Sequence, residues 1–270
     1  MFIEERHQAI LALLNEMGSI STADIQRRFG VSYDSAKRDL RILEEKGLLK
    51  RTHGGAISLD QVAFGRTPRP TVRDTSDADP ARLAIAEYAA SLIRENDVIF
   101  LQASDEGLLL AQKLPRETHM RVVTNSIALA DQLRGRENAS VMLLGGEVDG
   151  DGCCFDSFAL DMLKRLRFDK CFITSEGLSA GFGLSIRASG AVTFWNGVIG
   201  ASRRAIGLYP AEKLGAESVI SICPAGRLDC VITDRRADAD DESSSETAGA
   251  VSELRECGIS VVIADGAEEV

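Results

Sequence analysis

The sequence predicts an α/β protein with an N-terminal winged helix-turn-helix and a C-terminal domain built on a mostly parallel sheet. Two observations carry this prediction. The N-terminal part contains three amphipathic helical patterns, whereas the later part alternates short apolar runs with helical stretches. A stretch without apolar periodicity separates them, and 270 residues favour about two domains. We therefore predict a winged helix-turn-helix at residues 1–57, a linker at residues 58–79 and an α/β domain at residues 80–270.

The composition is that of a globular protein with an ordinary core. Hydrophobic residues make up 44% of the chain and charged residues 27%, and no apolar run approaches the ~18 residues of a membrane span. Glu4 and Glu5 stand where a signal peptide would carry bases. We expect a cytoplasmic protein with no membrane partner. The six cysteines and three histidines lack metal-ligand spacing, so we expect buried thiols, no metal and no cofactor.

The first two helices are marked by periodicity and by their ends. Apolar residues recur at helical spacing between Glu4 and Met17, which predicts the first helix. Ser21 followed by Asp24 three residues later is a capping box, which predicts the start of a second helix. Gly30 is expected to end that helix.

A third helix is predicted to begin at Ser32, which can cap it, and to bury an apolar stripe between Ala36 and Leu43. The side chains expected on the opposite face are Tyr33, Lys37, Arg38 and Arg41. The stretch Ser32–Ile57 holds six bases against four acids, although the whole chain has a formal net charge of −10. A basic island in an acidic protein indicates a contact with nucleic acid. A solvated helix face would explain the charge alone.

The segment after the third helix predicts a wing. Leu48–Thr52 alternates weakly as a strand, His53–Gly55 forms a turn, and Ala56 and Ile57 continue beyond it. In such a motif the third helix fits a major groove ~12 Å wide, bases neutralise phosphates, and the start of the helix contacts base edges. The predicted DNA-binding residues are Ser32, Tyr33, Asp34, Ser35, Lys37, Arg38, Arg41, Arg51 and His53. The alternative is an adaptor protein whose motif has lost its DNA contact.

The second domain is predicted to begin with a helix that Asp79 and Pro80 initiate and that stops near Asn96. Short apolar strands follow at Val98–Leu101, Arg121–Thr124, Val141–Leu144, Lys170–Thr174, Ser218–Cys223, Asp229–Thr233 and Ser260–Ala264. The acidic run Arg235–Gly249 is expected to form a mobile loop.

Ligands of parallel α/β sheets bind beyond the carboxyl ends of the strands. The loops expected to converge there are Gln102–Gly107, Thr124–Ser126, Gly145–Gly152, Ser175–Gly183 and Tyr209–Lys213.

Two sets of motifs in the chain match the pattern of a known protein family. The N-terminal set is Ser32-x-x-Ser35-Ala36-Lys37-Arg38-Asp39-Leu40, then Leu43–Leu49 and Arg51–Ala56. The C-terminal set is Thr124–Ser126, Gly145-Gly146, Asp169, Gly177, Lys213 and Val231–Asp234. The first set resembles the N-terminal signature of the DeoR family of bacterial repressors. The second set resembles that family's sensor domain, which is related in fold to ribose-5-phosphate isomerase. The resemblance covers nearly the whole chain and implies a homo-oligomeric repressor of a sugar or carbon metabolism operon, with operator DNA and a sugar-phosphate effector as partners.

The loop Gln102–Gly107, which we call the first sensor loop, departs from the family pattern. Where the family has Asp-x-Gly followed by hydroxyl residues that hold a phosphate, this chain places Asp105 and Glu106. Two carboxylates would repel a phosphate, unless they serve only to complement the helix dipole. The predicted effector-binding residues are Gln102, Ser104, Asp105, Glu106, Thr124, Asn125, Ser126, Gly145, Gly146 and Lys213. Three interpretations stay open: a weakened sugar-phosphate site, a changed effector that is cationic, amino-bearing or unphosphorylated, and no effector.

An enzyme is the remaining alternative, because the isomerase-like fold could keep an activity. The stretch Gly177–Gly181 matches G-x-S-x-G, but all three histidines precede its serine, against the order that hydrolases use. We therefore predict a glycine loop there, no catalytic residues, and a regulator instead of an enzyme.

Overall fold

The structure is a computed structural model, and it describes residues 3–17, 19–46, 48–51, 55–57, 79–238 and 242–264. The chain divides into two compact units, Met1–Arg69 and Pro70–Val270. We call them the N-terminal unit and the C-terminal unit. The limits of the predicted linker stay a prediction, because residues 58–78 lie outside the described ranges.

Three helices and a small sheet form the N-terminal unit. The helices are α1 (Ile3–Met17), α2 (Thr22–Phe29) and α3 (Tyr33–Glu45), and the strands are β1 (Ser19–Ser21), β2 (Lys50–Arg51) and β3 (Gly55–Ile57). The strands pair antiparallel in the order β1-β3-β2. The three predicted helices are confirmed. The first predicted strand is shorter than Leu48–Thr52, and β1 was not predicted because three residues are too few to show a pattern.

The predicted helix ends rest on the local contacts that the sequence indicated. The hydroxyl of Ser21 accepts a hydrogen bond from the backbone N–H of Asp24 over 3.0 Å and caps α2. Gly30 ends α2 in the left-handed conformation, with φ of 63°. The apolar faces of the helices and sheet meet in one core of Ile10, Leu14, Ile20, Ile25, Ala36, Leu40, Leu43, Leu49 and Ala56.

A seven-stranded parallel sheet forms the centre of the C-terminal unit, in the order β13-β12-β10-β7-β4-β5-β6. Its strands are β4 (Asp97–Leu101), β5 (Met120–Thr124), β6 (Ala139–Leu143), β7 (Phe168–Ile173), β10 (Ser202–Leu208), β12 (Cys230–Asp234) and β13 (Ser260–Ala264). A second, antiparallel sheet has the order β11-β9-β8, from β8 (Gly177–Ser179), β9 (Gly183–Ile186) and β11 (Ile220–Cys223).

Helices cover both faces of the parallel sheet. They are α4 (Pro80–Ser91), α5 (Asp105–Lys113), α6 (Ile127–Leu133), α7 (Ser157–Leu163), α8 (Val192–Ala201) and α9 (Glu242–Glu256). The first three pack with Ile99 and Leu101 of β4, and the last three belong to a second apolar cluster with Phe100. Side chains alternate across a strand, so these clusters lie on opposite faces of the sheet.

The predicted parallel α/β architecture is confirmed, with three corrections. Six of the seven predicted strands lie in the sheet to within two residues, but Ile220–Cys223 belongs to the antiparallel sheet. Strand β10, which lies between β12 and β7, was not predicted, because its first half carries exposed Arg203 and Arg204. The predicted mobile loop at Arg235–Gly249 was wrong, since most of its described part lies in a 3₁₀ turn and in α9.

Two smaller expectations are also adjusted. Asp79 caps α4 as predicted, by accepting from the N–H of Ala81 over 3.0 Å, but the helix ends at Ser91, before Asn96. Five of the six cysteines are buried as expected, whereas Cys257 is exposed. Within the described ranges, no helix combines the length and the apolar character that crossing a membrane requires.

Candidate functional site

The start of α3 is held by two serine hydroxyls. Ser32 Oγ accepts from the backbone N–H of Ser35 over 3.2 Å and donates to Ser35 Oγ over 3.0 Å. This N-cap satisfies an N–H group that a helix start leaves without a partner. Both hydroxyls, which we predicted among the DNA-binding groups, therefore interact with each other at the beginning of the helix.

The remaining predicted residues of α3 lie together on one exposed face. Its exposed members are Tyr33, Asp34, Lys37, Arg38 and Arg41. The ammonium of Lys37 lies 4.4 Å from the centroid of the Tyr33 ring, a cation–π distance that holds the two side chains side by side. The structure thus brings an aromatic ring and three cations to one side of the helix beside Asp34, and cations are the side chains that neutralise phosphates.

Asp39 is the exception among the charged residues of α3, because it points into the unit and is only 3% exposed. Arg6 of α1 donates to its carboxylate over 2.7 and 3.1 Å, and the ring of His7 lies within 3.0 Å of it. Burial raises the pKa of Asp39, but the hydrogen bonds from Arg6 and His7 outweigh that effect and hold its pKa below the ordinary value. Sequence reasoning missed this contact, which links residues 33 positions apart.

Of the two predicted DNA-binding residues in the wing, Arg51 and His53, only Arg51 lies in the described part of the chain. Arg51 lies in β2, where its backbone is paired with that of Ala56. His53 lies outside the described residues, so its predicted role stays a prediction.

The first sensor loop follows β4 and leads into α5. Ser104 caps α5 by accepting from the N–H of Gly107 over 3.0 Å, and Gln102 Oε1 accepts from the N–H of Thr174 over 2.6 Å. A Cβ atom on Gly107 would lie 1.9 Å from the carbonyl oxygen of Gln102, so only glycine fits. The loop is therefore tied to the end of the neighbouring strand β7.

Glu106, the second residue of α5, is fully buried. Its Oε1 atom forms an ion pair with Arg82 of α4 and lies 3.5 Å from Nζ of Lys213. Lys213 also lies 3.3 Å from Thr174 Oγ1. Of the two predicted carboxylates, one is thus neutralised inside the protein, whereas the side chain of Asp105 is 57% exposed.

A network of ion pairs continues from Glu106 to the surface. Arg82 also contacts Glu212 over 2.8 Å, and Arg236 lies 3.3 Å from Glu212. The linked charges are Arg82, Lys213 and Arg236 against Asp79, Asp105, Glu106, Glu212 and Asp234. Three cations face five carboxylates, so the network has a formal net charge of −2. Arg82 and Arg236 were missed because no local pattern distinguishes them from surface arginines.

The other predicted effector residues form a second cluster at the end of β5. Thr124, Asn125 and Ser126 are buried. The side-chain N–H of Asn125 donates to the carbonyl of Cys154 over 3.0 Å, and Ser126 caps α6. The structure brings these residues against the loop that contains Gly145 and Gly146. Gly146 lies against Asp156, because an added Cβ would come within 2.2 Å of Asp156 Oδ1.

The G-x-S-x-G stretch forms strand β8 and the turn after it, so the predicted glycine loop was wrong for its first half. The hydroxyl of Ser179 donates to Glu217 over 2.7 Å and accepts from the N–H of Phe182 over 3.0 Å. The described histidines are engaged elsewhere, since His7 contacts Asp39 and His119 lies 3.2 Å from Glu95. Ser179 thus connects β8 to the loop before β11.

Family models match both parts of the chain. The model described as "DeoR-like helix-turn-helix domain" matches residues 6–62, and the one described as "DeoR C terminal sensor domain" matches residues 79–235. A winged helix-turn-helix with a basic third helix, followed in one chain by a parallel α/β sensor domain, defines a class of DNA-binding transcriptional regulators. Within this class, the chain belongs to the DeoR family.

Several relatives extend over most of the chain. The uncharacterized HTH-type transcriptional regulator YgbI of Escherichia coli (strain K12) is 33% identical, over 85% of this chain and 89% of the relative. The HTH-type transcriptional repressor GlcR of Bacillus subtilis (strain 168) is also 33% identical, over 87% and 90%. The glycerol-3-phosphate regulon repressor of Escherichia coli (strain K12) is 26% identical, over 85% and 90%.

Solved structures align less closely. The probable sor operon regulator from Shigella flexneri is 11% identical with a TM-score of 0.41, over 70% of this chain and 96% of that one. Ribose 5-phosphate isomerase A from Methanocaldococcus jannaschii is 16% identical with a TM-score of 0.37, over 54% and 56%. Scores at this level carry no argument about function.

Proposed function

We propose that this protein is a sequence-specific repressor of a sugar or carbon metabolism operon, controlled by a small-molecule effector in its C-terminal unit. The similarity to GlcR and to the glycerol-3-phosphate regulon repressor, both named as repressors, supports the repressor role. The observation that carries DNA binding is the exposed face of α3, with Tyr33, Lys37, Arg38 and Arg41 together and Asp39 turned away. On that face, cations meet the phosphates while residues near the start of α3 contact bases.

The test is the salt dependence of DNA binding by the full-length protein. The probe is a duplex that the protein selects from a random-sequence library. We expect Lys37→Ala with Arg38→Ala to weaken binding at least ~10-fold and to make the plot of log affinity against log salt shallower by ~1.8, since each lost phosphate contact accounts for about 0.9.

The matched control is Lys164→Ala with Arg165→Ala, which removes the same dipeptide from an exposed position after α7. We expect it to leave the affinity and the salt slope unchanged. Binding that does not weaken with salt, or equal loss in both double variants, contradicts phosphate contact by α3 and favours the adaptor.

A homo-oligomer is part of the proposal, because paired half-sites ~34 Å apart require two recognition helices related by symmetry. The edge strand β6 supports this, since its last residue, Leu143, and Ile127 of α6 are exposed and line one apolar groove. Strand edges of this kind pair with other chains unless they are covered. We expect sedimentation to give at least twice the 29.1 kDa mass of the chain.

We propose no catalytic role and place the protein in the cytoplasm with its operator DNA. The effector site we propose consists of the first sensor loop, the end of β5 and Lys213. Its cations already have carboxylate partners, which supports a changed phosphate site. Turnover of a sugar phosphate by the purified protein would revive the isomerase-like enzyme.

A further inference from the structure

The two oxygens of the buried Glu106 carboxylate differ in their contacts. Oε1 contacts Arg82 and Lys213, whereas Oε2 is buried without a hydrogen-bond partner among the described residues. Buried carboxylate oxygens are normally satisfied by donors, because an unsatisfied one has lost its hydration and gained nothing. Oε2 therefore marks a position where a donor belongs.

A second acceptor without a partner lies at the end of the neighbouring strand. Asn125 is fully buried, and its side-chain N–H donates to the carbonyl of Cys154, which determines the orientation of the amide. Its Oδ1 atom has no partner in the described part of the chain. Glu106 follows β4 in the chain and Asn125 follows β5, and these strands are neighbours in the parallel sheet, so both acceptors lie beyond adjacent strand ends.

The immediate contacts of the Glu106 carboxylate disfavour both kinds of ion, although the whole ion-pair network has a formal net charge of −2. A phosphate would meet the Glu106 carboxylate, with Asp105 and Glu212 near it on Arg82. An ammonium group at Oε2 would share one carboxylate with two cations that already contact its other oxygen. A neutral hydroxyl donates a hydrogen bond to Oε2 and meets neither repulsion.

We propose that the Glu106 carboxylate takes the place that an effector phosphate would occupy in the proposed effector site, and that the effector is a neutral polyhydroxy compound, a sugar or sugar alcohol. The hydroxyls of this compound donate to Glu106 Oε2 and Asn125 Oδ1. This inference rests on the effector control in the proposed function. It narrows that function to one ligand class, and it makes Glu106 the residue that excludes phosphorylated compounds.

The experiment measures ligand-induced thermal stabilisation of the full-length protein without DNA. The probes are ribose, fructose, glucose and sorbitol, each beside its phosphate ester, with glucosamine as the cationic probe and inorganic phosphate as the anionic probe. We expect a neutral compound to raise the unfolding temperature and to bind at least ~10-fold more tightly than its phosphate ester. We expect no stabilisation by inorganic phosphate.

Glu106→Gln is the decisive variant. The amide keeps the shape of the side chain, puts a donor in place of an acceptor oxygen, and leaves Arg82 and Lys213 without their buried counter-charge. We expect it to lose at least ~10-fold in affinity for the neutral compound and to gain at least ~10-fold for inorganic phosphate. Glu137→Gln is the matched control, since it makes the same change at an exposed position after α6, outside the proposed effector site. It should leave the order of preference unchanged.

Four results would overturn the inference: tighter binding of a phosphate ester than of its parent, glucosamine as the strongest ligand, no stabilisation by any neutral probe, or no gain of phosphate binding in Glu106→Gln. If Glu106→Gln does not fold, the affinities of the wild-type protein for each neutral compound and for its phosphate ester test the inference. Binding of DNA through α3 is measured without any ligand. A failure of the proposed DNA-binding function can therefore be distinguished from a failure of this inference.

Discussion

The guanidinium of Arg6 binds the carboxylate of Asp39 through two hydrogen bonds, from Nε over 2.7 Å and from Nη2 over 3.1 Å. This bidentate contact joins α1 to the middle of α3. It also removes one acid from the exposed face of α3, because Asp39 is buried while Lys37 and Arg38 beside it are exposed. The contact thus orients α3 and keeps its exposed face basic.

We expect Asp39→Asn to destabilise the N-terminal unit by about 2 kcal/mol, because hydrogen bonds to a charged group contribute about 1.5–3 kcal/mol each and the amide cannot accept all three. Far-ultraviolet circular dichroism during urea unfolding measures this effect. The single tryptophan, Trp195, is buried in the C-terminal unit and reports that unit separately. Asp34→Asn is the control, as Asp34 is an exposed acid of the same helix, and it should cost under about 1 kcal/mol.

Because of the Asp39 carboxylate, we also expect the free energy of unfolding to fall in acid. The hydrogen bonds of Arg6 and His7 hold the pKa of Asp39 below its ordinary value of ~3.9 despite its burial. The folded state then binds fewer protons than the unfolded state, so this contribution is full above about pH 5 and is lost as pH falls through the lowered pKa.

We expect the wild-type N-terminal unit to lose more stability than Asp39→Asn when the pH drops from about 5 to about 2. Some acid sensitivity should remain in the variant, because the Ser21 hydroxyl lowers the pKa of Asp24 as well. Equal losses in the two proteins would show that the Asp39 contact does not contribute in solution.

Gly146→Ala should destabilise the C-terminal unit by about 1 kcal/mol, the usual cost of losing a helix cap. The new methyl would lie 2.2 Å from Asp156 Oδ1, and the carboxylate of Asp156 caps α7 through the N–H of Ala159 and accepts from the N–H of Glu147. Gly145→Ala is the control, because its methyl meets no atom within 4 Å. Urea unfolding followed by Trp195 fluorescence compares the two, and equal midpoints would exclude this role for Gly146.

Ala248→Pro tests the helix that replaces the predicted acidic loop. Position 248 lies inside α9, where proline removes a backbone hydrogen bond and clashes with the preceding turn, at a cost of about 3 kcal/mol. Ala248→Ser keeps the N–H group and should cost under about 1 kcal/mol. If the proline variant matched the serine variant in urea unfolding, the segment would not be helical in solution.

Errors in the predicted fold occurred where polar residues dominate an element. Strand β10 begins with two exposed arginines, so only its second half looks like a strand. Helix α9 buries Ala250, Val251 and Leu254, but its acidic first half hides this short stripe. In both cases the contacts of the assembled sheet outweigh the local composition, which sequence patterns alone do not record.

Features whose causes lie within a few residues of one another could be predicted from the sequence. Ser21, Ser32 and Asp79 cap their helices, and apolar periodicity marks the buried face of α3, because both depend on local geometry. The inward turn of Asp39 to Arg6 and the neutralisation of Glu106 by Arg82 and Lys213 became visible only in the folded chain. These contacts join distant parts of the chain, so the charge that each site presents depends on which partners the fold brings within a few ångströms.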